Sequence, residues 1–298
     1  MDAAETLHQN EAVLLATALV DYVAASAGLQ VLFIKGPAAT MMGLRDNHVS
    51  ADVDALVRPE QLDKMVDLLG GRGWVERPSG VSVVRRYSHS RTLYHPQWNC
   101  DIDVHDRFPG MEAPPGSAFE ALWRDRQHLV MATRSVPVPS TPAAVIFQAL
   151  HSLRNMGDPR HQREYSGLLR RVDVGMHRGI MDLCTQLDAA AALKPLLDDL
   201  GVKYLPDGNG TVSEEWRYRT SMQGPGMAYL IALSESPWRA KPLLLARAIF
   251  PSRETLRHDD LYFDDSAAGL FRSHISRWRR VLTNLPKAAR NIRDARRR

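Results

Sequence analysis

The chain has 298 residues, 44% of them hydrophobic and 24% charged, which suffices for one large domain or two modest ones. Two cysteines, Cys100 and Cys184, are too few for a disulfide framework, so we expect reduced thiols and a cytoplasmic location. No run approaches the roughly 20 apolar residues of a membrane helix. The composition therefore predicts a globular chain with a sizeable core, no transmembrane segment and no signal peptide.

The formal net charge of +4 is unevenly distributed along the chain. Residues 272–298 contain ten Lys or Arg residues and one acid, so the rest of the chain is net negative. The isoelectric point of 9.2 is thus a property of the tail and does not indicate that the body binds nucleic acid. For the tail we favour a solvated helix face over binding to RNA or another polyanion, and rank contact with an anionic membrane surface last.

Helix and strand patterns alternate in the first half of the chain. A helix is predicted over residues 8–27 from apolar residues at helical spacing, with Gly28 placed to end it. Further on, a strand over 31–34 precedes a short helix over 37–44, and a helix begins at Pro59. Strand patterns indicate an antiparallel or mixed sheet. They cover residues 52–57, 74–77, 81–87, 91–95 and 100–105.

The second half is predominantly helical. A loop over 109–116, a short helix over 119–124 and an extended segment ending in Pro137 and Pro139 precede it. We therefore predict two domains, an α/β domain over residues 1–138 and a helical domain over 139–298 that carries the basic tail. The predicted helices begin near Ser140 and cover residues 163–175, 177–188, 189–200, 213–222, 226–234 and 239–249. A last helical face contains Phe271, Ile275, Trp278 and Leu282.

Acidic side chains on two of the predicted strands indicate a metal site. Asp52 and Asp54 stand at i and i+2, so a strand points both to one face. Such a pair is self-repelling unless it is solvated or holds a divalent cation. Asp103, flanked by apolar residues, offers a third oxygen ligand, and Asp101 on the same face of that strand stays an alternative. Oxygen ligands of this kind suit Mg²⁺ (or Mn²⁺).

Basic and glycine residues near this acidic group indicate phosphate binding. Lys35 and Gly36 follow an apolar strand, where glycine lets phosphate approach the backbone closely. Nucleotidyl transfer needs neutralised phosphate charge and an attacking hydroxyl held in line, which metal-bound carboxylates and a lysine supply. His105 either ligates the metal or supports the site, and we favour support. His151 is predicted to be a hydrogen-bonded core histidine, and His161 shows no recognisable ligand spacing.

These residues resemble the uncharacterised nucleotidyltransferase family of the polymerase-β-like superfamily. The matching pattern consists of Lys35-Gly36, Asp52-Val-Asp54-Ala-Leu-Val57 and Ile102-Asp103-Val-His105. Weaker similarities at Leu150-His151 and Phe250-Pro251-Ser252 extend the resemblance over most of residues 30–285. The resemblance implies an α+β fold, with a polymerase-β-like nucleotidyltransferase sheet domain followed by an α-helical domain.

The resemblance also implies roles for the site residues. Asp52 and Asp54 would ligate Mg²⁺ on the triphosphate, and Asp103 would complete the metal site and help the acceptor hydroxyl lose its proton. Lys35 and Gly36 would contact the nucleotide. The family often has an arginine four residues before the first aspartate, where this chain has His48. Arg45 lies nearby, and either residue is a candidate for gripping the triphosphate.

The leading expectation is a Mg²⁺-dependent enzyme that binds an NTP such as ATP and transfers NMP to a hydroxyl of a small molecule, peptide or protein. A non-catalytic nucleotide- or partner-binding module is the first alternative, supported by the departure at His48. A toxin-like enzyme that modifies tRNA is the second, and it draws on the basic tail. Nucleic acid binding through that tail is not favoured.

Overall fold

A computed structural model describes five segments of the chain and four single positions. These are residues 7–77, 89–202, 212–221, 237–251 and 266–279, with positions 253, 256, 264 and 283. The chain divides into two compact units. The first contains the described residues up to Glu76 and from His89 to Arg217, and the second contains Arg77 and the described residues from Tyr218 onward.

A five-stranded mixed sheet forms the centre of the first unit, with strand order β1-β2-β5-β4-β3. Its strands are β1 (Val31–Phe33), β2 (Asp52–Val57), β3 (Val75–Glu76), β4 (Ser90–Tyr94) and β5 (Asp101–His105). β2 pairs with β1 in antiparallel and with β5 in parallel orientation, whereas β4 is antiparallel to both neighbours. A separate antiparallel hairpin consists of β6 (Gln127–Met131) and β7 (Arg134–Val138).

Helices surround the sheet along the described part of the chain. The helices that begin in the first unit are α1 (Gln9–Ser26), α2 (Gly36–Met41), α3 (Leu62–Gly70), α4 (Pro115–Arg124), α5 (Thr141–Leu153), α6 (Pro159–Leu169), α7 (His177–Gln186), α8 (Lys194–Asp199) and α9 (Glu214–Ser221). Two 3-10 turns, Pro59–Gln61 and Val174–Met176, precede α3 and α7. None of the helices among the described residues is long and apolar enough to cross a membrane.

The core of this unit consists of two apolar clusters on opposite faces of the sheet. One cluster joins α1, α3 and the hairpin to the face of β2 that carries Val53 and Ala55. The other joins α4 to α8 to the face that carries Leu56. Because alternate strand residues point to opposite faces, Asp52 and Asp54 share the face of Leu56. The sequence alternation therefore aims both carboxylates toward the helical side of the unit.

The second unit is described through two helical segments, α10 (Lys241–Ile249) and residues 267–279. The Trp278 Nε1–H donates to the Ile249 carbonyl oxygen at 2.8 Å, and the Trp278 ring packs edge-on against Phe250. Phe271, Ile275 and Trp278 all lie on the helix over residues 267–279, as predicted. The fourth member of that predicted face, Leu282, lies outside the described residues.

The structure confirms the α+β class and most of the predicted elements. The helix over 8–27 and the strands over 31–34, 52–57, 91–95 and 100–105 are present within one residue at most ends. The predictions over 81–87 and 226–234 lie outside the described residues. The division at residue 138 stays a prediction.

The segment predicted as extended up to Pro139 is extended, and its two strands form the β6–β7 hairpin, in which Pro137 occupies a strand position. Errors concern mainly the ends of helices. The helix predicted over residues 163–175 begins at Pro159 and ends at Leu169. The helix predicted from residue 119 begins earlier, at Pro115, inside the predicted loop. Proline needs no N–H partner in the first turn of a helix, which explains why it begins there.

Candidate active site

The acidic residues meet because β2 and β5 run parallel in one register. Asp52 pairs with Asp101 and Asp54 pairs with Asp103 across the two strands. Both acids of each strand point to the same face, since side chains alternate along a strand. The structure therefore puts the three predicted carboxylates on one face of two neighbouring strands, with Asp101 beside them. The group whose potential ligand atoms lie within 4.8 Å of one another contains Asp54 and Asp103 but not Asp52, so the role of Asp52 as a ligand stays a prediction.

Asp54 is the most deeply buried of these carboxylates, with 6% of its surface exposed. Its Oδ1 lies 2.5 Å from the Lys35 ammonium and 2.9 Å from His105 Nε2. An ionised carboxylate only accepts hydrogen bonds, so His105 Nε2–H is the donor. Burial raises the pKa of Asp54, but the Lys35 charge and the His105 hydrogen bond outweigh burial and hold the pKa well below its ordinary value. The ionised form of Asp54 is therefore favoured at neutral pH.

The pKa values of Asp52 and Asp103 are raised, in contrast to the lowered pKa of Asp54. Burial, reinforced by the negative charge of Asp54, raises the pKa of Asp52 to about 7. Burial also raises the pKa of Asp103, whose Oδ1 accepts a hydrogen bond from the Thr92 hydroxyl at 2.5 Å. Ionising Asp52 and Asp103 is therefore unfavourable without further positive charge, and a bound cation would make it favourable.

Lys35 reaches Asp54 from the turn between β1 and α2. Its backbone has φ of +60°, which is uncommon for a residue with a side chain, and Gly36 follows with φ of +43°. A Cβ at position 36 would stand 3.2 Å from Ser50 Oγ, so glycine also relieves crowding there. The Lys35 ammonium lies 5.6 Å from the centroid of the Phe108 ring. The turn thus directs the Lys35 ammonium group toward the carboxylate of Asp54.

Arg45 and His48 lie at the edge of this group, in the loop before β2. Burial lowers the pKa of the Arg45 guanidinium; of the charges that act on it, Glu164 has the largest effect, followed by Arg160 and then by Asp52 and Asp54. His48 is exposed, and its Nε2 lies 3.0 Å from Arg160 Nη2 on α6. Arg45 is thus electrostatically coupled to the acidic pair, while His48 faces a second arginine from the helical side.

A second polar group lies on α5 and α6 and was missed by sequence reasoning. His151, His161 and Glu164 each place one potential ligand atom within 4.8 Å of the others. Burial lowers the pKa of His151 well below its ordinary value, and the nearby charge of Lys35 adds to this effect. The available signal was the i, i+3 spacing of His161 and Glu164 on a helix, which requires the helix boundaries to be known.

The residues present fit a hard divalent cation. Asp54, Asp103 and His105 place potential ligand atoms within 4.8 Å of one another, and Asp52 lies on the same strand face as Asp54. Carboxylate oxygens are the ligands that Mg²⁺ and Mn²⁺ prefer. His105 Nε2–H donates to Asp54, and His105 also belongs to the group of potential ligands. The role favoured for His105, support of the site over ligation of the metal, stays a prediction.

Comparison with known proteins identifies the class as nucleotidyltransferase. The chain matches the family described as uncharacterised nucleotidyltransferase over residues 2–198, and it belongs to that family. The comparison with curated proteins gives no match.

Three similar solved structures are also nucleotidyltransferases or described as like them. An antigenic nucleotidyltransferase-like protein from Paracoccidioides brasiliensis is 13% identical, with a TM-score of 0.41, over 66% of this chain and 96% of that chain. A lincosamide antibiotic adenylyltransferase is 14% identical, with a TM-score of 0.37, over 55% and 98%. A tRNA nucleotidyltransferase is 12% identical, with a TM-score of 0.27, over 94% and 100%. Similarity at this level carries no information about substrate.

Proposed function

We propose that the chain is a Mg²⁺-dependent nucleotidyltransferase that moves NMP from an NTP to a hydroxyl of a small molecule, peptide or protein. The observation that supports this most is the parallel register of β2 and β5, which puts Asp54 beside Asp103. Membership of a nucleotidyltransferase family supports the same reaction class.

Asp52, Asp54 and Asp103 would hold the divalent cation. When bound, Mg²⁺ or Mn²⁺ would neutralise charge on the triphosphate and hold its oxygens in place. Burial, and then the charge of Asp54, raise the pKa of Asp52 to about 7, and a bound cation would offset both effects.

Lys35, Gly36 and the loop before β2 would bind the nucleotide. In the nucleotide-free chain the Lys35 ammonium neutralises Asp54, and a bound cation would release it toward the phosphates. The backbone N–H of Gly36 is open to close approach because no side chain stands there. Arg45 would also bind the triphosphate. His48, which contacts Arg160, would support the nucleotide site from the loop before β2.

The chemical step would be an in-line displacement at the α-phosphorus. The acceptor oxygen forms a new P–O bond while the bond to the β-phosphate oxygen breaks, and pyrophosphate leaves with that electron pair. Asp103 would accept the hydroxyl proton. Burial raises the pKa of Asp103, which makes its carboxylate a stronger base, and the Thr92 hydroxyl fixes its orientation.

Turnover of labelled nucleotides tests this proposal. The purified chain is incubated with each α-labelled NTP and Mg²⁺ or Mn²⁺, and slow release of NMP and pyrophosphate is measured. We expect Asp54→Asn to lower turnover by at least about 100-fold. Asp125→Asn is the matched control, because Asp125 is exposed and lies outside the site. Undiminished turnover in Asp54→Asn, or no nucleotide binding by the wild type, would refute the proposal.

A paired comparison separates the two candidate bases. Asp101 and Asp103 occupy the same face of β5, opposite Asp52 and Asp54 respectively. We expect Asp103→Asn to abolish turnover and Asp101→Asn to retain most of it. The reverse order would move the base to Asp101 while leaving the reaction class intact.

A non-catalytic nucleotide-binding module is the second candidate. The observation that favours it is His48, which stands where the family often has arginine and lies beside Arg160. This candidate predicts nucleotide binding without turnover in the presence of either ion. His48→Arg would then be expected to raise nucleotide affinity without creating turnover.

A further inference from the structure

The second polar group, on the helical side of the first unit, has the geometry of an ion site. His151 belongs to α5, whereas His161 and Glu164 stand three residues apart on α6 and so share a face. The His151 and His161 ring centroids are 4.9 Å apart, and the three potential ligand atoms lie within 4.8 Å of one another. Three donors from two packed helices thus converge on one point.

Two of the potential ligand atoms are buried and have no hydrogen-bond partner among the described residues. His161 Nδ1 and Glu164 Oε2 find no hydrogen-bond partner within the part of the chain that the structure describes. The two atoms are 3.8 Å apart, too far for a hydrogen bond to each other. Buried polar atoms are nearly always satisfied in folded proteins, so this pair calls for a missing group between or beside them.

We propose that His151, His161 and Glu164 bind a borderline-soft transition-metal ion of the Zn²⁺ class. Two imidazoles and one carboxylate form a donor set that Zn²⁺ and Co²⁺ accept readily, whereas Mg²⁺ prefers oxygen ligands alone. Three protein ligands leave a coordination position for water or another ligand. The site uses none of the carboxylates of the proposed nucleotidyltransferase centre and does not depend on that proposal, although the charges of Lys35 and Asp54 reach His151.

Two arginines contact the proposed ligands. Arg160 orients Glu164, whereas Arg154 competes with the ion for His151. Arg160 Nε donates to Glu164 Oε1 at 3.1 Å, which leaves Oε2 free and orients the carboxylate. Arg154 Nη2 lies 3.1 Å from His151 Nδ1, and a guanidinium can only donate. A neutral imidazole bound to metal through one nitrogen carries a proton on the other, so no lone pair remains for Arg154. The ion must therefore displace Arg154 from His151.

Metal titration of the full chain tests the site. After chelator treatment and dialysis, the chain is titrated with Zn²⁺ by calorimetry and with Co²⁺ by the visible absorption of the bound ion. We expect one ion per chain, with binding weakened by at least about tenfold in both His161→Ala and Glu164→Gln. His128→Ala is the matched control, since His128 is exposed on β6. It should bind as the wild type does.

Two further variants make the assignment specific. Arg154→Gln should tighten binding by about fivefold, because it removes a competing cation next to the ion. Asp54→Asn should still bind one Zn²⁺ per chain, although it should lower nucleotidyl transfer by at least about 100-fold, so failure of one proposal does not entail failure of the other. Should His161→Ala fail to fold, the isosteric Glu164→Gln decides the outcome.

Three results would refute the proposed transition-metal site. These are the absence of stoichiometric Zn²⁺ or Co²⁺ binding by the wild type, binding that Glu164→Gln leaves intact, and binding that Asp54→Asn abolishes. The last result would place the ion at the carboxylates of β2 and β5 instead.

Discussion

Asp52→Asn is expected to stabilise the ion-free protein at pH 8, although Asp52 is proposed to bind the catalytic cation. Burial and the charge of Asp54 raise the pKa of Asp52 from 3.8 to about 7 in the folded chain. At a pH between these two pKa values, the Asp52 carboxyl is ionised in the unfolded state and protonated in the folded state. The free energy of unfolding therefore decreases as pH rises from about 4 to about 7.

The change in the free energy of unfolding can be calculated from the same pKa shift of Asp52. A rise from 3.8 to about 7, at about 1.4 kcal/mol per pH unit, corresponds to about 4 kcal/mol above pH 7 as an upper limit. Asp52 is only partly buried, so solvent and structural relaxation reduce this value. We expect Asp52→Asn to raise the free energy of unfolding by about 1–2 kcal/mol at pH 8.

Urea denaturation with a chelator present measures this difference. Wild type and Asp52→Asn are compared at pH 8 and at pH 4.5, with the exposed Asp125→Asn as the control. The stabilisation should be present at pH 8 and nearly absent at pH 4.5, and added Mg²⁺ should stabilise the wild type more than Asp52→Asn. A destabilised Asp52→Asn at pH 8, or a difference that does not change with pH, would refute the electrostatic reasoning.

Three other substitutions test neighbouring contacts. Lys35→Met should weaken binding of a non-hydrolysable NTP by about tenfold or more in calorimetry, because one charge-assisted contact is lost; equal affinity would remove Lys35 from the phosphate site. His105→Ala should lower the free energy of unfolding by about 1–3 kcal/mol in urea titration, since buried Asp54 loses a donor; an unchanged midpoint would argue against that hydrogen bond. Ile102→Ala, at a fully buried position, should cost about 2–5 kcal/mol in the same titration, and a smaller loss would indicate that the sheet core relaxes around the cavity.

The strand face of the candidate site was predictable from the sequence because it depends only on local periodicity. A strand repeats every two residues, so Asp52 and Asp54 had to share a face, and the apolar neighbours of Asp103 identified a second strand. The parallel pairing of β2 with β5 was not predictable in this way. Pairing is decided by tertiary packing of segments that are distant in sequence. The residue types suggested a shared metal site and the family resemblance supported it, but neither gave the register of β2 with β5.

Contacts between elements were the main omission. The bond from His105 to Asp54 joins two strands, and the group of His151, His161 and Glu164 joins two helices. Neither contact can be recognised from residue spacing in the sequence, because the residues belong to different elements. The β6–β7 hairpin was missed for a different reason, since Pro137 usually argues against a strand but is tolerated in this two-stranded ribbon.

The parallel pairing of β2 with β5 also links a bound cation to the architecture of the sheet. Each of the two strands carries half of the acidic face, since Asp52 and Asp54 lie on β2 and Asp101 and Asp103 lie on β5. A divalent cation bound there would therefore stabilise the pairing of the two central strands, because it offsets the repulsion between carboxylates that this pairing brings together.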